Sequence, residues 1–181
     1  VKLFVFIAFI LLFPVVARAD HASANLDDLF QKLQTAADSE SARVIEQSIW
    51  DYWLDSERPM ITARMEVGIY FMRQGNWQMA HQVFSDVIKR APNYAEGWNK
   101  RATVEYIMGD LQPSVVDIQK TLELEPRHFG ALSGLGLIYI ALGKPQTALK
   151  VFSKVLEIYP QNTGVQEKIK SLEKMISGNP A

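Results

Sequence analysis

Gly75, Gly109 and Gly143 lie 34 residues apart, and so do Pro92, Pro126 and Pro160. The small residues Ala80, Ser114 and Ala148 keep the same interval, as do Phe84, Ile118 and Phe152. A fixed period carried jointly by turn-forming and apolar positions means one supersecondary unit in tandem, each copy burying its apolar face on the next. Within a unit, apolar residues recur at steps of three and four on both sides of the glycine, so each unit reads as two short amphipathic helices. The glycine ends the first helix, because a left-handed backbone there carries no Cβ penalty, and the proline closes the second. In the third unit Leu132, Leu135, Gly136 and Tyr139 form one stripe, and Ala148, Phe152 and Val155 the facing one. Gly136 and Ala148 let the two axes approach, while Tyr139 and Phe152 fill the space beyond.

These positions resemble the tetratricopeptide repeat, whose signature sets a large apolar residue, a small residue and an aromatic on the first helix against Ala, aromatic and Ala/Leu places on the second. The third unit fits almost throughout. The first fits at Val67, Gly68, Phe71, Ala80, Phe84, Val87 and Pro92, with Arg64 in the leading apolar place. The second has Trp98, Ala102, Ser114, Ile118 and Pro126, and departs at Arg101 and Glu105. That pair, four residues apart, reads either as a local salt bridge or as a reach by Arg101 toward Glu125 and His128. The resemblance covers residues 61–162. It implies an all-α right-handed superhelix of helix-turn-helix repeats at 61–94, 95–128 and 129–162. Degenerate helical caps are expected at 20–60, where Phe30, Leu33, Trp50 and Trp53 fall near signature places, and at 163–181. The segments 98–103 (WNKRAT) and 125–136 (EPRHFGALSGLG) also look like a subgroup of exported bacterial proteins with these repeats.

Export is expected from the residues themselves. Leu3 to Phe13 is an unbroken apolar run, preceded by Lys2 and followed by Pro14 and the small residues Ala17 and Ala19. This is the three-part plan of a signal peptide over 1–19, cut between Ala19 and Asp20, and the run is too short for a membrane-spanning helix. Loss of Lys2 and Arg18 would leave 17 basic against 20 acidic groups, a mildly acidic chain with no stable membrane insertion, most simply placed in a periplasm. With no cysteine, disulfides, thiolate metal sites, thiol nucleophiles and lipid attachment through cysteine are excluded. Near-zero net charge argues against nucleic acid.

Nothing in the sequence points to catalysis. His21, His81 and His128 stand far apart, without the spacing of a metal site, so no metal and no cofactor are expected. His128 is expected to pack or cap at a repeat junction. The pairs Asp27/Asp28 and Glu123/Glu125 read as solvated helix residues, and Trp50, Trp53 and Trp98 as core. No nucleophile elbow, phosphate loop or dinucleotide fingerprint occurs.

What remains is binding. The resemblance implies that the first helices of successive repeats line a concave groove where a protein or peptide partner lies. The groove face then carries Met65, Ile69, Met72 and Arg73 from unit one. Asn99, Lys100, Thr103, Tyr106 and Ile107 follow from unit two, and Ser133, Leu137 and Ile140 from unit three. Family members that clamp acidic chaperone tails use Lys, Asn and Arg in this groove, and the matching places here are Met65, Ile69, Lys100, Gly130 and Gly134. Only Lys100 could take part, so an apolar or amphipathic segment is the expected ligand, with the methionines adapting to its shape. The alternatives are a groove filled by the chain's own cap, or self-association into a homo-oligomer through the groove or a cap face.

Overall fold

The computed structural model describes residues 17–178, with side chains described from residue 25. The expected export segment lies outside the described residues but for its last three, which begin α1. Nine helices and no strands occur among the described residues: α1 (Ala17–Gln34), α2 (Ser39–Leu54), α3 (Pro59–Arg73), α4 (Trp77–Arg90), α5 (Ala95–Met108), α6 (Leu111–Leu124), α7 (Phe129–Ala141), α8 (Pro145–Ile158) and α9 (Thr163–Ile176). None of them is long and apolar enough to cross a membrane.

The 34-residue period reappears in the hydrogen bonds. Gly75, Gly109 and Gly143 have φ of 69°, 86° and 66°. Immediately after each, a backbone N–H donates to a carbonyl five residues back, Asn76 to Phe71, Asp110 to Glu105 and Lys144 to Tyr139, all at 2.9 Å. Three identical turns of this kind fold α3 on α4, α5 on α6 and α7 on α8.

Packing inside each hairpin explains a pattern in the repeat positions. Phe84 and Phe152 each face a glycine, Gly68 and Gly136, whereas the smaller Ile118 takes the same place in the hairpin whose counterpart is Ala102. A Cβ on Gly136 would sit 2.6 Å from the Phe152 ring, so glycine there is required by the close approach of the ring. The stack is closed at its far end by α9, which lays Val165 and Leu172 against α8.

The N-terminal hairpin departs from the expected cap. α1 and α2 do not continue the stack on α3. They fold back across it and dock on α5, α7 and α8. Leu33, Ala42 and Ile49 are fully buried in one cluster with Phe129, Leu132, Phe152, Val155 and Tyr159. Each fully buried Leu or Ile contributes ~1.5–3 kcal/mol, so the hairpin is an integral part of the core. The physical reason is aromatic content: Phe30, Trp50 and Trp53 need an apolar partner wide enough to cover them, and the α7 start supplies Phe129 at ring-centroid distances of 4.9–6.5 Å. The outer face of α3 is left bare, with Met60, Val67 and Tyr70 exposed. The link from α2 to α3, residues 55–58, holds Glu57 at φ 55°, a left-handed conformation that costs a non-glycine residue ~1–2 kcal/mol.

Candidate functional site

The concave wall is built from α3, α5 and α7, and the docked hairpin divides it in two. At the N-terminal ends of α5 and α7 the wall is covered. The Trp53 ring stacks on His128 at 4.0 Å and 10°, Trp50 meets the edge of His128 and Phe129, and the Lys100 ammonium lies 5.1 Å from the Trp50 ring centre. Gly130 is needed here, because a Cβ would stand 2.6 Å from the Trp50 indole.

Beneath the tryptophans lies a closed polar network. Glu96 accepts from His128 Nε2 at 2.9 Å and from Asn99 Nδ2 at 2.9 Å, and pairs with Lys100 Nζ at 2.8 Å. His128 caps α7 by accepting the Ala131 N–H on Nδ1, so the ring proton is on Nε2, aimed at the Glu96 carboxylate. His128 is 0% and Glu96 1% exposed. Burial alone would push the Glu96 carboxyl up, but the Lys100 ammonium, with His128 second, outweighs it and holds Glu96 below the usual carboxylate range. Lys100, the one cation at a place matching the acidic-tail clamp, is therefore already paired with a buried carboxylate of its own helix. At the hairpin's margin Arg127 pairs with Asp27 at 2.7 Å and covers the Phe30 ring at 4.2 Å.

Of the two readings of Arg101, the local salt bridge to Glu105 forms, at 3.7 Å, and the reach toward Glu125 and His128 at the next junction does not. The Arg101 guanidinium makes two bonds to Asp117 of α6, 2.6 and 2.8 Å, and one to Ser85 of α4. It thus ties α4, α5 and α6 together on the side of α5 away from the groove. Burial, then the neighbouring Asp117, pushes Glu105 up despite its contact with His81.

The other half of the wall is open. Ile69, Met72, Arg73, Lys100 and Ile107 line one depression of ≈390 Å³ with Leu54 and Trp77. Asn99, Thr103, Tyr106, Ser133 and Leu137 line a narrower slot of ≈230 Å³ between α5 and α7. Three of the four hydroxyls lining this slot are already used, Thr103 donating to the Asn99 carbonyl, Ser133 to that of Phe129 and Ser114 to that of Ala102, while the Tyr106 hydroxyl has no partner among the described residues. Apart from that hydroxyl and the Arg73 guanidinium, the surface left to a ligand is largely apolar.

Ten of the twelve expected groove residues thus share these two depressions. Ile140, 37% exposed, stands apart from both, and Met65 is removed from the surface altogether, 1% exposed in a cluster with Ile61, Ala80, Phe84 and Val104. Asn99, at 6%, is turned inward on Glu96. The alternative of a groove filled by the chain's own cap holds for the covered half of the wall, but sequence reasoning missed Glu96 and Trp50 and Trp53 as the residues that do the filling. The available signal was an aromatic stripe on α2 too rich for a terminal cap that should turn a polar face outward. Among the described residues no cluster of His, Cys, Asp or Glu could hold a metal ion.

The tetratricopeptide repeat family model matches residues 130–162, the third unit. A TPR repeat-containing protein of Rhizobium etli is 36% identical over 169 residues, spanning 91% of this chain and 83% of that protein. Among solved structures, the first TPR of Spaghetti (RPAP3), bound to the HSP90 peptide SRMEEVD, matches with a TM-score of 0.63 at 20% identity, covering 68% of this chain and 96% of that one. The crystal structure of the MamA protein matches with a TM-score of 0.60 at 16% identity, covering 88% and 85%. At these identities the two structures bear on the fold alone.

Proposed function

The chain belongs to the tetratricopeptide repeat family, and from that premise we propose that it is a non-catalytic binding module of the cell envelope, holding an apolar or amphipathic polypeptide segment on the open half of its concave wall. The observation that carries this reading is the pair of adjoining depressions, largely apolar in lining, in which Thr103, Ser133, Ser114, Asn99 and Lys100 are already bonded within the protein and the Arg73 guanidinium and Tyr106 hydroxyl are left to meet a ligand. An apolar side chain entering the slot displaces water that the wall cannot hold well. Arg73, exposed at the rim and without an ion pair among the described residues, sets orientation by meeting an acidic group of the ligand. Placement in the envelope rests on the leader-like residues 1–19.

The test is a peptide panel read by fluorescence anisotropy. Amphipathic helices carrying Leu or Phe at i, i+3 and i+7 and one flanking carboxylate are expected to bind at least tenfold more tightly than SRMEEVD, because Lys100 is already neutralised by Glu96. The opposite order would contradict the reading. A second reading, self-association as a structural protein, is favoured by the bare α3 face with Met60, Val67 and Tyr70 exposed.

A further inference from the structure

We propose that the α1–α2 hairpin is exchanged between two copies of this chain, giving a reciprocal dimer in which each copy's hairpin covers the other's α5–α7–α8 wall. The hairpin's polar anchors to the body are almost all remote in sequence. Arg127 pairs with Asp27, Gln34 donates to the Glu157 carbonyl, Tyr159 OH to Glu46, and Gln161 to the Ala36 carbonyl. All four can be made unchanged by a second copy, as can the stacking of Trp53 on His128. What cannot carry over is the conformation of the link.

That link is short and stiff. Residues 55–58 span at most about 14 Å when extended. Asp55 is extended at φ −83°, ψ 106°. Arg58 is extended as well, φ −125°, ψ 99°, as the following Pro59 demands. Glu57, at φ 55° and held by its N–H on Asp55 Oδ1 at 2.9 Å, carries the left-handed turn that folds the hairpin back. Relaxing Glu57 to an extended conformation straightens the link and swings the hairpin off its own repeats. A short strained hinge of this kind favours exchange, because the swapped form keeps the interface and sheds the strain. The larger depression takes only Leu54 from the hairpin, a residue the second copy supplies after exchange, and the slot takes none, so the inference is independent of what the groove binds.

The test uses the absence of native cysteine. Asp27→Cys and Arg127→Cys, both at solvent-accessible sites, are placed in separate full-chain copies, which are mixed, incubated and treated with a short bismaleimide. Exchange predicts a cross-linked dimer containing one copy of each, and a dimer fraction for the unaltered chain that rises with concentration in light scattering. Glu57→Gly, which removes the strain while keeping every hairpin contact, is expected to weaken dimerisation about tenfold. A chain monomeric at every concentration overturns the proposal. So does a dimer whose two single-cysteine copies never cross-link, which would point to the bare α3 face instead. A dimer fraction unmoved by Glu57→Gly overturns hinge strain as its cause.

Discussion

Glu96→Gln is expected to destabilise the fold by about 3–5 kcal/mol, the range for removing one partner of a buried charged pair. The substitution preserves shape and leaves Lys100 facing the Trp50 ring without its carboxylate. It also takes the charged acceptor from His128, which has no access to water. Because His128 both caps α7 and stacks on Trp53, the loss spreads from α5 to the docked hairpin. Urea unfolding followed by tryptophan fluorescence measures it. The pH dependence has a definite sign. The folded carboxyl of Glu96 lies below its ordinary value of 4.5, so the unfolded chain takes up a proton first as the solution is acidified. The stability Glu96 supplies is full above about pH 4.5 and is lost as pH falls through the folded value. The gap between the unaltered chain and Glu96→Gln should therefore narrow below that pH. Glu105, whose carboxyl is raised, works in the opposite direction, but it is present in both proteins and cancels in the comparison.

Ile107→Glu is expected to weaken binding of an amphipathic ligand at least about a hundredfold, since a carboxylate forced against an apolar partner loses its hydration without compensation. Ile107 is 45% exposed in the last turn of α5 and lines the larger depression, so the change removes ligand surface and little core. Helicity should stay intact, with a stability change below about 1 kcal/mol from the carboxylate at a helix C-terminus. Met72→Glu tests the same depression from α3. Val116→Glu, an equally drastic change on exposed α6, is the control and should leave affinity unchanged.

Much of this architecture is legible in the chain, because turns and helix pairs are decided locally. Gly75, Gly109 and Gly143 announce left-handed caps, and the small residues opposite Phe84 and Phe152 announce close axes. The placing of α1 and α2 is not legible, for a physical reason. An apolar stripe states that a helix buries one face but not which distant surface covers it, and the 34-residue register of Trp50 and Trp53 suggested stacking where the wide Phe129–His128 surface captured them instead. Arg101 and Met65 illustrate the same limit at single residues. Whether Arg101 turns to Asp117 or to Glu125, and whether Met65 faces the groove or the core, depends on the angle between neighbouring hairpins, which spacing along one helix does not contain.

The concave wall is shared, one half sealed by an α1–α2 hairpin and the other open to a ligand. Backbone hydrogen exchange, recorded with and without the tightest-binding amphipathic peptide of the panel, tests it most directly. The account predicts slowed exchange on binding in the C-terminal turns of α3 and α5 and along α7 near Leu137, with α1 and α2 unchanged. Faster exchange in α1 and α2 on binding would mean that the ligand displaces the hairpin, and would contradict it.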